Sequence, residues 1–159
     1  MVAVVERPWQ FRPMVAEDLV SVVGVEQACY PYPWSRGIFE DCLRVGYCCL
    51  VVEGAAEGIC AHGIMMVRAR EAHVLNLCVA PAARRRGIAR ALLAELLDVA
   101  ARMNAQSAFL EVRPSNTGAV ALYHEAGFHV IGQRPDYYPA PFGREDALVM
   151  ARDLAAATH

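Results

Sequence analysis

The chain has 159 residues, 56% of them hydrophobic and 8% aromatic, which is enough apolar material for one buried core and too little length for two ordinary domains. That composition excludes an intrinsically disordered chain. With 15 basic and 17 acidic residues the formal charge is −2, which excludes a protein that coats nucleic acid through phosphate contacts.

In chain order, a short extended segment near Trp9 to Arg12 precedes "MVAEDLVSVVGVEQACY", where Leu19, Val22, Val23 and Glu26 recur at helical spacing until the rigid turn "YPYPW". Ser35 caps a second predicted helix through Val45. "YCCLVVE" and "GICAHGIMMVRA" flank the turn "GAAEG" as an antiparallel hairpin, and "EAHVLNLCVAP" is a third strand ended by Pro81. From Gly87, Leu92, Leu93, Leu96, Leu97 and Ala100 mark one face of the strongest helix in the chain. "SAFLEVR" follows as a strand, and "NTGAVALYHEA" as a helix ended by Gly127. The tail reads as two strands around a long loop rich in Pro, Tyr and Gly. The expected fold is a single α/β domain over 1–159, a mixed, mostly antiparallel sheet with helices on both faces.

Six cysteines, at 29, 42, 48, 49, 60 and 78, show no C-x-x-C spacing and several lie in apolar runs. They read as buried free thiols, and no metal is expected. The N-terminus lacks a basic segment followed by an uninterrupted apolar core, and no apolar run approaches the roughly 20 residues that span a bilayer. A cytoplasmic protein without membrane contact is expected. All 15 basic residues are arginine, for which the codon bias of a GC-rich genome is the simplest account.

The stretch "VAPAARRRGIARAL" carries the functional signal. A loop holding Arg84, Arg85 and Arg86 leaves a strand and enters the long helix, so backbone N–H groups and the helix's positive end converge on it. Gly87 permits the close approach of a phosphate, small Ala89 keeps the helix near its ligand, and Arg85 and Arg90 add charge. The P-loop and Rossmann patterns are absent, and the acidic Glu95 and Asp98 in the helix that follows argue against a nucleic-acid patch. A solvated turn is the competing reading, but it does not by itself call for glycine at the helix entrance.

Arg84-Arg85-Arg86-Gly87-Ile88-Ala89 resembles the cofactor loop of the GNAT acetyltransferase superfamily, Gln/Arg-x-x-Gly-x-Gly/Ala. The resemblance extends, in order, through "YPWS", "LNLCVAP", "RRRGIARALL", "LEVRPSNTGAVALYHEAGF" and "DYYPAPFGREDALVM", and points to the RimI-type N-terminal alanine acetyltransferases. It implies a GNAT fold with a splayed cofactor cleft and transfer of acetyl from acetyl-coenzyme A (acetyl-CoA) to the N-terminal alanine amine of ribosomal protein number eighteen of the small subunit. The implied partner is thus a ribosomal N-terminal peptide, with no direct nucleic acid contact and the enzyme a monomer. The cofactor's pyrophosphate would sit on the amides around Arg85, Gly87, Ile88, Ala89 and Arg90. Its pantetheine arm would pair with the backbone of Leu77, Cys78 and Val79 like an added strand, and Asn116 and Tyr123 would also touch it.

By the same resemblance Glu111 is the general base and Tyr123 the general acid. Chemistry agrees, since an α-amine titrates near 8 and needs a base at neutral pH, and a leaving thiolate needs a proton. Burial in an apolar strand is expected to raise the Glu111 pKa. On residue type alone, Glu111 equally suits an ion pair with Arg113 or another arginine, and Tyr123 a core position. Glu71 and His73 are further candidates for the base. Tyr32, Pro33 and Trp34, with Tyr137, Tyr138, Arg144, Glu145 and Asp146 in the late loop, would hold the peptide, aromatic walls and carboxylates suiting a cationic N-terminus. A lysine or small-amine acetyltransferase, or a non-catalytic acyl-CoA sensor, shares the cofactor site and stands as the alternative. Cys78 raises an acyl-cysteine route, which the family's direct transfer disfavours.

Overall fold

In the computed structural model, which describes residues 8–154, the elements form in the expected order. They are β1 (Trp9–Pro13), α1 (Leu19–Cys29), α2 (Arg36–Arg44), β2 (Cys48–Gly54), β3 (Gly58–Arg68), β4 (Glu71–Val79), α3 (Ile88–Arg102), β5 (Ser107–Val112), α4 (Thr117–Glu125), β6 (His129–Ala140) and β7 (Gly143–Asp153). The strands make one sheet in the order β1-β2-β3-β4-β5-β7-β6. Every pairing is antiparallel except that of β4 with β5.

The helices follow from their apolar stripes. Ile88, Leu92, Leu93, Leu96, Leu97 and Ala100 of α3 are all buried, each leucine contributing about 2 kcal/mol by leaving water. The helix lies close on β3 because residue 63 is glycine: a Cβ there would stand 2.9 Å from Leu96 Cδ1. On the other face Leu19 and Val22 of α1 and Phe39 and Cys42 of α2 pack over Cys49, Val51 and Ile64. Ser35 caps α2 by accepting from the Ile38 amide. A two-pronged bridge from Arg12 to Asp18, 2.7 and 2.8 Å, ties β1 to the entry of α1. No helix among the described residues is long and apolar enough to cross a membrane.

The sheet opens at its centre. β4 and β5 pair from Glu71 opposite Ser107 to Val74 opposite Leu110 and no further. At that point Leu75 is an extra residue against β3, since Ile64 faces Asn76 and Met65 faces Val74. Such a bulge bends its strand, and here it coincides with the separation of β4 from β5. Leu75–Val79 therefore carry no strand on their β5 side among the described residues, while β5 stays zipped to β7 up to Val112 opposite Leu148. The splayed cleft expected from the family resemblance is thus present in the backbone.

Two expectations are corrected. The late loop collapses to a tight turn at Pro141–Phe142, and the residues before it belong to β6, which lies at the edge of the sheet. Proline is tolerated there because an edge strand has an unpaired side and irregular register. Ile131 is skipped in pairing, and Pro135–Tyr137 bulge between the pairs Arg134–Ala147 and Tyr138–Glu145, with Asp136 at φ +51°. The cysteines are free, as expected, but Cys29 and Cys48 are only half-buried.

Candidate active site

The arginine loop delivers the geometry that its sequence implies. Gly87 has φ +76°, a left-handed conformation that disfavours any side chain, and a Cβ added there would project into open space. Arg85 is left-handed too, at φ +65°, a strained choice for a non-glycine residue. No side chain caps α3, no acidic residue lies in its first turn, and its first internal bond runs from the Ala91 amide to the Gly87 carbonyl. The amides of Ile88, Ala89 and Arg90 thus point out of the helix end without intrahelical partners. An uncapped, electropositive cradle with a glycine where an anion would approach fits a pyrophosphate. The arginine side chains are partly engaged: Arg86 pairs with Glu57 at 2.8 Å, Arg84 Nε donates to the Val79 carbonyl at 3.2 Å, and Arg90 contacts Glu125. The Arg90 and Glu125 side chains are largely exposed, so their pairing is weak and exchangeable.

From that cradle the open edge of β4 runs back along Val79, Cys78 and Leu77. Its carbonyls meet the end of α1. Tyr30 donates its hydroxyl to the Leu77 carbonyl at 2.8 Å, and Cys29 Sγ to the Val79 carbonyl at 3.2 Å. Burial pushes the Tyr30 phenol well above its ordinary range. Neither residue is singled out by the sequence, where they read only as the last turn of an apolar helix. Asn116 is the N-cap of α4, its Oδ1 accepting from the Ala119 amide at 3.2 Å, which leaves its NH2 group for another partner.

At the mouth of the cleft, Glu111 stands on the same face of the sheet as His73. His73 Nε2 lies 2.5 Å from Glu111 Oε2, and Arg134 Nε lies 3.2 Å from Oε1. Burial pushes this carboxyl up, but the His73 hydrogen bond and charge, and then Arg134, outweigh it, and the group titrates below the ordinary carboxylate range. The expected rise is therefore reversed, because the strand is apolar but its neighbours across the sheet are not. The arginine partner turns out to be Arg134, not Arg113. Tyr123 is 8% exposed, packs edge-on to Phe128 at 6.0 Å, and is pushed up to about 12 by burial. Tyr138 feels both the Glu111 carboxylate and the Tyr123 phenol, so one ring lies within reach of the two predicted catalytic groups.

Of the predicted peptide-holding residues, Tyr32, Tyr137 and Tyr138 come together around Arg113, whereas Trp34 packs inward on Phe39. The Arg113 guanidinium lies 4.3 Å from the Tyr138 ring centre and 5.7 Å from that of Tyr32, joining the α1–α2 turn to β6. Tyr137 packs edge-on to Tyr138 at 4.8 Å. The charged trio works differently from expectation, bracing the backbone instead of standing free. Glu145 accepts from Arg113, from the Ser115 amide and from the Ser115 hydroxyl. Asp146 accepts from the Asp136 amide, and Arg144 donates to the Asp136 and Tyr137 carbonyls at 2.7 and 3.0 Å. Together they fix the bulge that presents Tyr137 and Tyr138.

Beneath the α1–α2 turn lies a polar cluster that sequence reasoning placed only on a helix face. Glu26 is 1% exposed; its Oε1 accepts from His62 Nε2 and Asn76 Nδ2, and its Oε2 from the Trp34 amide, all at 3.0 Å. Trp34 packs tilted against Phe39, and Phe39 edge-on against His62. A glutamate in register with Leu19 and Val22 was the available signal, a charge where the stripe demands an apolar residue.

Comparison with known proteins agrees with this geometry. The Acetyltransferase (GNAT) family pattern matches residues 15–128. The ribosomal protein bS18-alanine N-acetyltransferase of Escherichia coli K12 is 36% identical over 139 residues, covering 87% of this chain and 93% of that protein. The crystal structure of the S18-alanine N-acetyltransferase from Escherichia coli superposes with a TM-score of 0.86 at 32% identity, covering 95% of this chain and 97% of that one. A phosphinothricin acetyltransferase from Sinorhizobium meliloti, solved with acetyl-CoA bound, shares the fold at a TM-score of 0.79 and 18% identity, covering 96% and 93% of the two chains. An uncapped α3 end, a parted β4 and β5, and these likenesses agree: the chain belongs to the GNAT family and is an acetyl-CoA-dependent N-acetyltransferase.

Proposed function

We propose that this enzyme acetylates the N-terminal alanine amine of ribosomal protein bS18, acting in the cytoplasm where ribosomes are assembled. The carrying observation is the meeting of the α1–α2 turn with β6, where the Arg113 guanidinium contacts the rings of both Tyr32 and Tyr138 and Tyr138 lies near Glu111. A wall built from two separate segments suits an extended peptide better than a small amine, which calls for an enclosed pocket. The substrate printed in the name of the 36% identical Escherichia coli enzyme supports the reading.

Acetyl-CoA supplies the activated acetyl thioester. The amides of Gly87, Ile88, Ala89 and Arg90, with Arg84, Arg85 and Arg86 around them, would hold the diphosphate; Leu77, Cys78 and Val79 would offer a backbone edge to the pantetheine arm, and Asn116 and Tyr123 would touch the cofactor as well. Glu111 and His73 together take the ammonium proton of the peptide, freeing the nitrogen lone pair to attack the thioester carbonyl. As the C–N bond forms and the C–S bond breaks, the Tyr123 hydroxyl, protonated throughout the neutral range, donates to the departing sulfur. Tyr32, Pro33 and Trp34 form one wall for the peptide and Tyr137 and Tyr138 the other, with Arg144, Glu145 and Asp146 fixing the second wall's shape.

The test offers acetyl-CoA and two peptides, one beginning with a free alanine and one blocked at its N-terminus but containing lysine, and locates the acetyl group by mass spectrometry. The free alanine amine alone should be modified. Acetylation confined to lysine overturns the substrate while keeping the cofactor site, and turnover of neither peptide moves the reading to a small amine.

A further inference from the structure

Acetyl transfer uses no cysteine, yet two thiols meet beside the open edge of β4. Cys29 ends α1 and is half-exposed; Cys78 lies on β4 and is 3% exposed. Their hydrogen bonds are reciprocal. Cys29 Sγ donates to the carbonyl of Val79, next to Cys78, and Cys78 Sγ to the carbonyl of Val25, one turn before Cys29, at 3.2 and 3.7 Å. The two sulfurs are near enough to shift each other's titration, and Arg84 Nε donates at 3.2 Å to the same Val79 carbonyl as Cys29 Sγ, which brings its guanidinium beside Cys29. The Cys78 contact and then Arg84 bring the Cys29 thiol down to about 7 despite its partial burial, whereas contact with Cys29 and burial push Cys78 far up. Cys42, Cys48, Cys49 and Cys60 are all pushed up by burial. Cys48 and Cys49 are adjacent on β2, so their side chains leave opposite faces and cannot bridge.

We infer that Cys29 and Cys78 are an attacking and a resolving thiol, which close to a disulfide by exchange with a low-molecular-weight disulfide such as glutathione disulfide. An accessible thiol beside a cationic group, with a second thiol behind it, is the arrangement of a redox-responsive pair. In the first step the Cys29 thiolate attacks one sulfur of the glutathione disulfide, forming a mixed disulfide and expelling one glutathione thiolate. That thiolate takes the Cys78 proton, Cys78 attacks the Cys29 sulfur, and the second glutathione leaves. Two protein thiols are oxidised, one disulfide is reduced to two thiols, and no other oxidant is required. The new bond ties the end of α1 to the strand whose Leu77–Val79 edge faces the cleft and removes the S–H donor from the Val79 carbonyl. On the reading that this edge pairs with the cofactor's arm, oxidation raises KM for acetyl-CoA, by about tenfold for the loss of one to two hydrogen bonds.

The experiment treats the full-length enzyme with glutathione disulfide at pH 7 and maps its peptides by mass spectrometry without reduction. The Cys29 and Cys78 peptides should appear joined, in a product reversed by dithiothreitol. Cys29→Ser should abolish it, and Cys78→Ser should stop at one glutathione on Cys29. A wild-type enzyme that collects glutathione on Cys29 without joining, reacts first at another cysteine, or reacts only once unfolded in urea overturns the pair. Iodoacetamide labelling of the unsubstituted protein gives a measurement independent of variant folding: Cys29 should react about tenfold faster than the other five cysteines at pH 7, and equal rates refute the assignment. Joining without a change in KM for acetyl-CoA leaves the pair standing and removes the cofactor-edge consequence. The mass readout does not depend on the substrate assigned above, so the two readings fail separately.

Discussion

Glu111 has a partner on each oxygen, His73 on one and Arg134 on the other, and the proposed base is consequently ionised throughout the neutral range. Its carboxyl is lowered from an ordinary value of about 4.3, so its own titration lies well on the acid side of neutrality. The Glu111 contribution to kcat/KM should therefore be lost only as pH falls through that depressed titration, and not near neutrality. The charged groups facing Glu111 across the sheet are His73 from β4 and Arg134 from β6, with the phenols of Tyr137 and Tyr138 beside them. Glu111→Gln should lower kcat by about a hundredfold or more. His73→Gln removes a charge that holds this carboxyl down and should lower kcat about tenfold while moving the acid limb of kcat/KM to higher pH. A pH–rate series on both variants checks this, and a His73→Gln enzyme that slows without moving the acid limb would reduce His73 to a brace for the carboxylate. The family resemblance led to Glu111 through the segment "FLEVR". It did not lead to the His73 pairing, because that contact depends on the parallel register that sets His73 opposite Phe109, two residues before Glu111.

Among the elements, the α1–α2 turn is fastened from beneath by one buried carboxylate, in addition to its Trp34–Phe39 and Tyr32–Arg113 contacts. Glu26 holds the Trp34 amide with one oxygen and joins His62 of β3 and Asn76 of β4 with the other. Glu26→Gln is nearly isosteric but has one oxygen where three donors converge, so at least one N–H is left facing another N–H. His62 Nδ1 and Asn76 Oδ1 already lack partners among the described residues, so the cluster has little slack. The expected cost is about 1–3 kcal/mol of stability, read by urea denaturation, with KM for the peptide rising severalfold while KM for acetyl-CoA moves little. An equal rise in both constants would mean that the cluster supports the whole cleft and not the peptide wall. At this scale the sequence read well where one periodicity dominated. The α3 stripe and the hairpin of β2 and β3 fall where their patterns put them. It read poorly in β6, where Pro135, Tyr137, Tyr138, Pro139 and Gly143 imitate loop composition, since proline counts against a strand only where both of its sides must pair.

For the molecule as a whole, the consequential feature is a sheet parted in its middle. The core divides accordingly into clusters on the two faces, with Leu50 and Leu77 linking the packing beside β3 and β4. A cofactor that binds only the folded chain stabilises it by mass action, about 2.7 kcal/mol at a hundred times its Kd. For a domain of this size that corresponds to a rise in Tm of roughly 5–10 °C. Thermal melts across an acetyl-CoA titration should show it, with the added hydrogen-exchange protection concentrated in Leu77–Val79 and the first turn of α3. Protection spread evenly over the sheet would contradict binding along that edge. The fold class, the order of elements along the chain and the glycine at the entrance of α3 were legible because glycine placement and helix periodicity are local signals. The bulge at Leu75, which aligns with the parting of the sheet, was not, because nothing in "HVLNLCV" distinguishes an extra residue from a regular one until β3 is laid against it.

The irregular register of β6 bears on how the protein behaves at high concentration. An outer strand of 12 residues, with exposed Val130 and Ile131, offers neighbouring molecules a row of unpaired backbone groups and is a natural seed for edge-to-edge aggregation. Here the row is interrupted where Ile131 falls out of pairing and again at Pro135–Tyr137, and both Pro135 and Pro139 lack an N–H to offer. A second chain could bond to only a few consecutive residues before losing register. The kinks that shape one wall of the groove thereby also blunt the edge against its own copies.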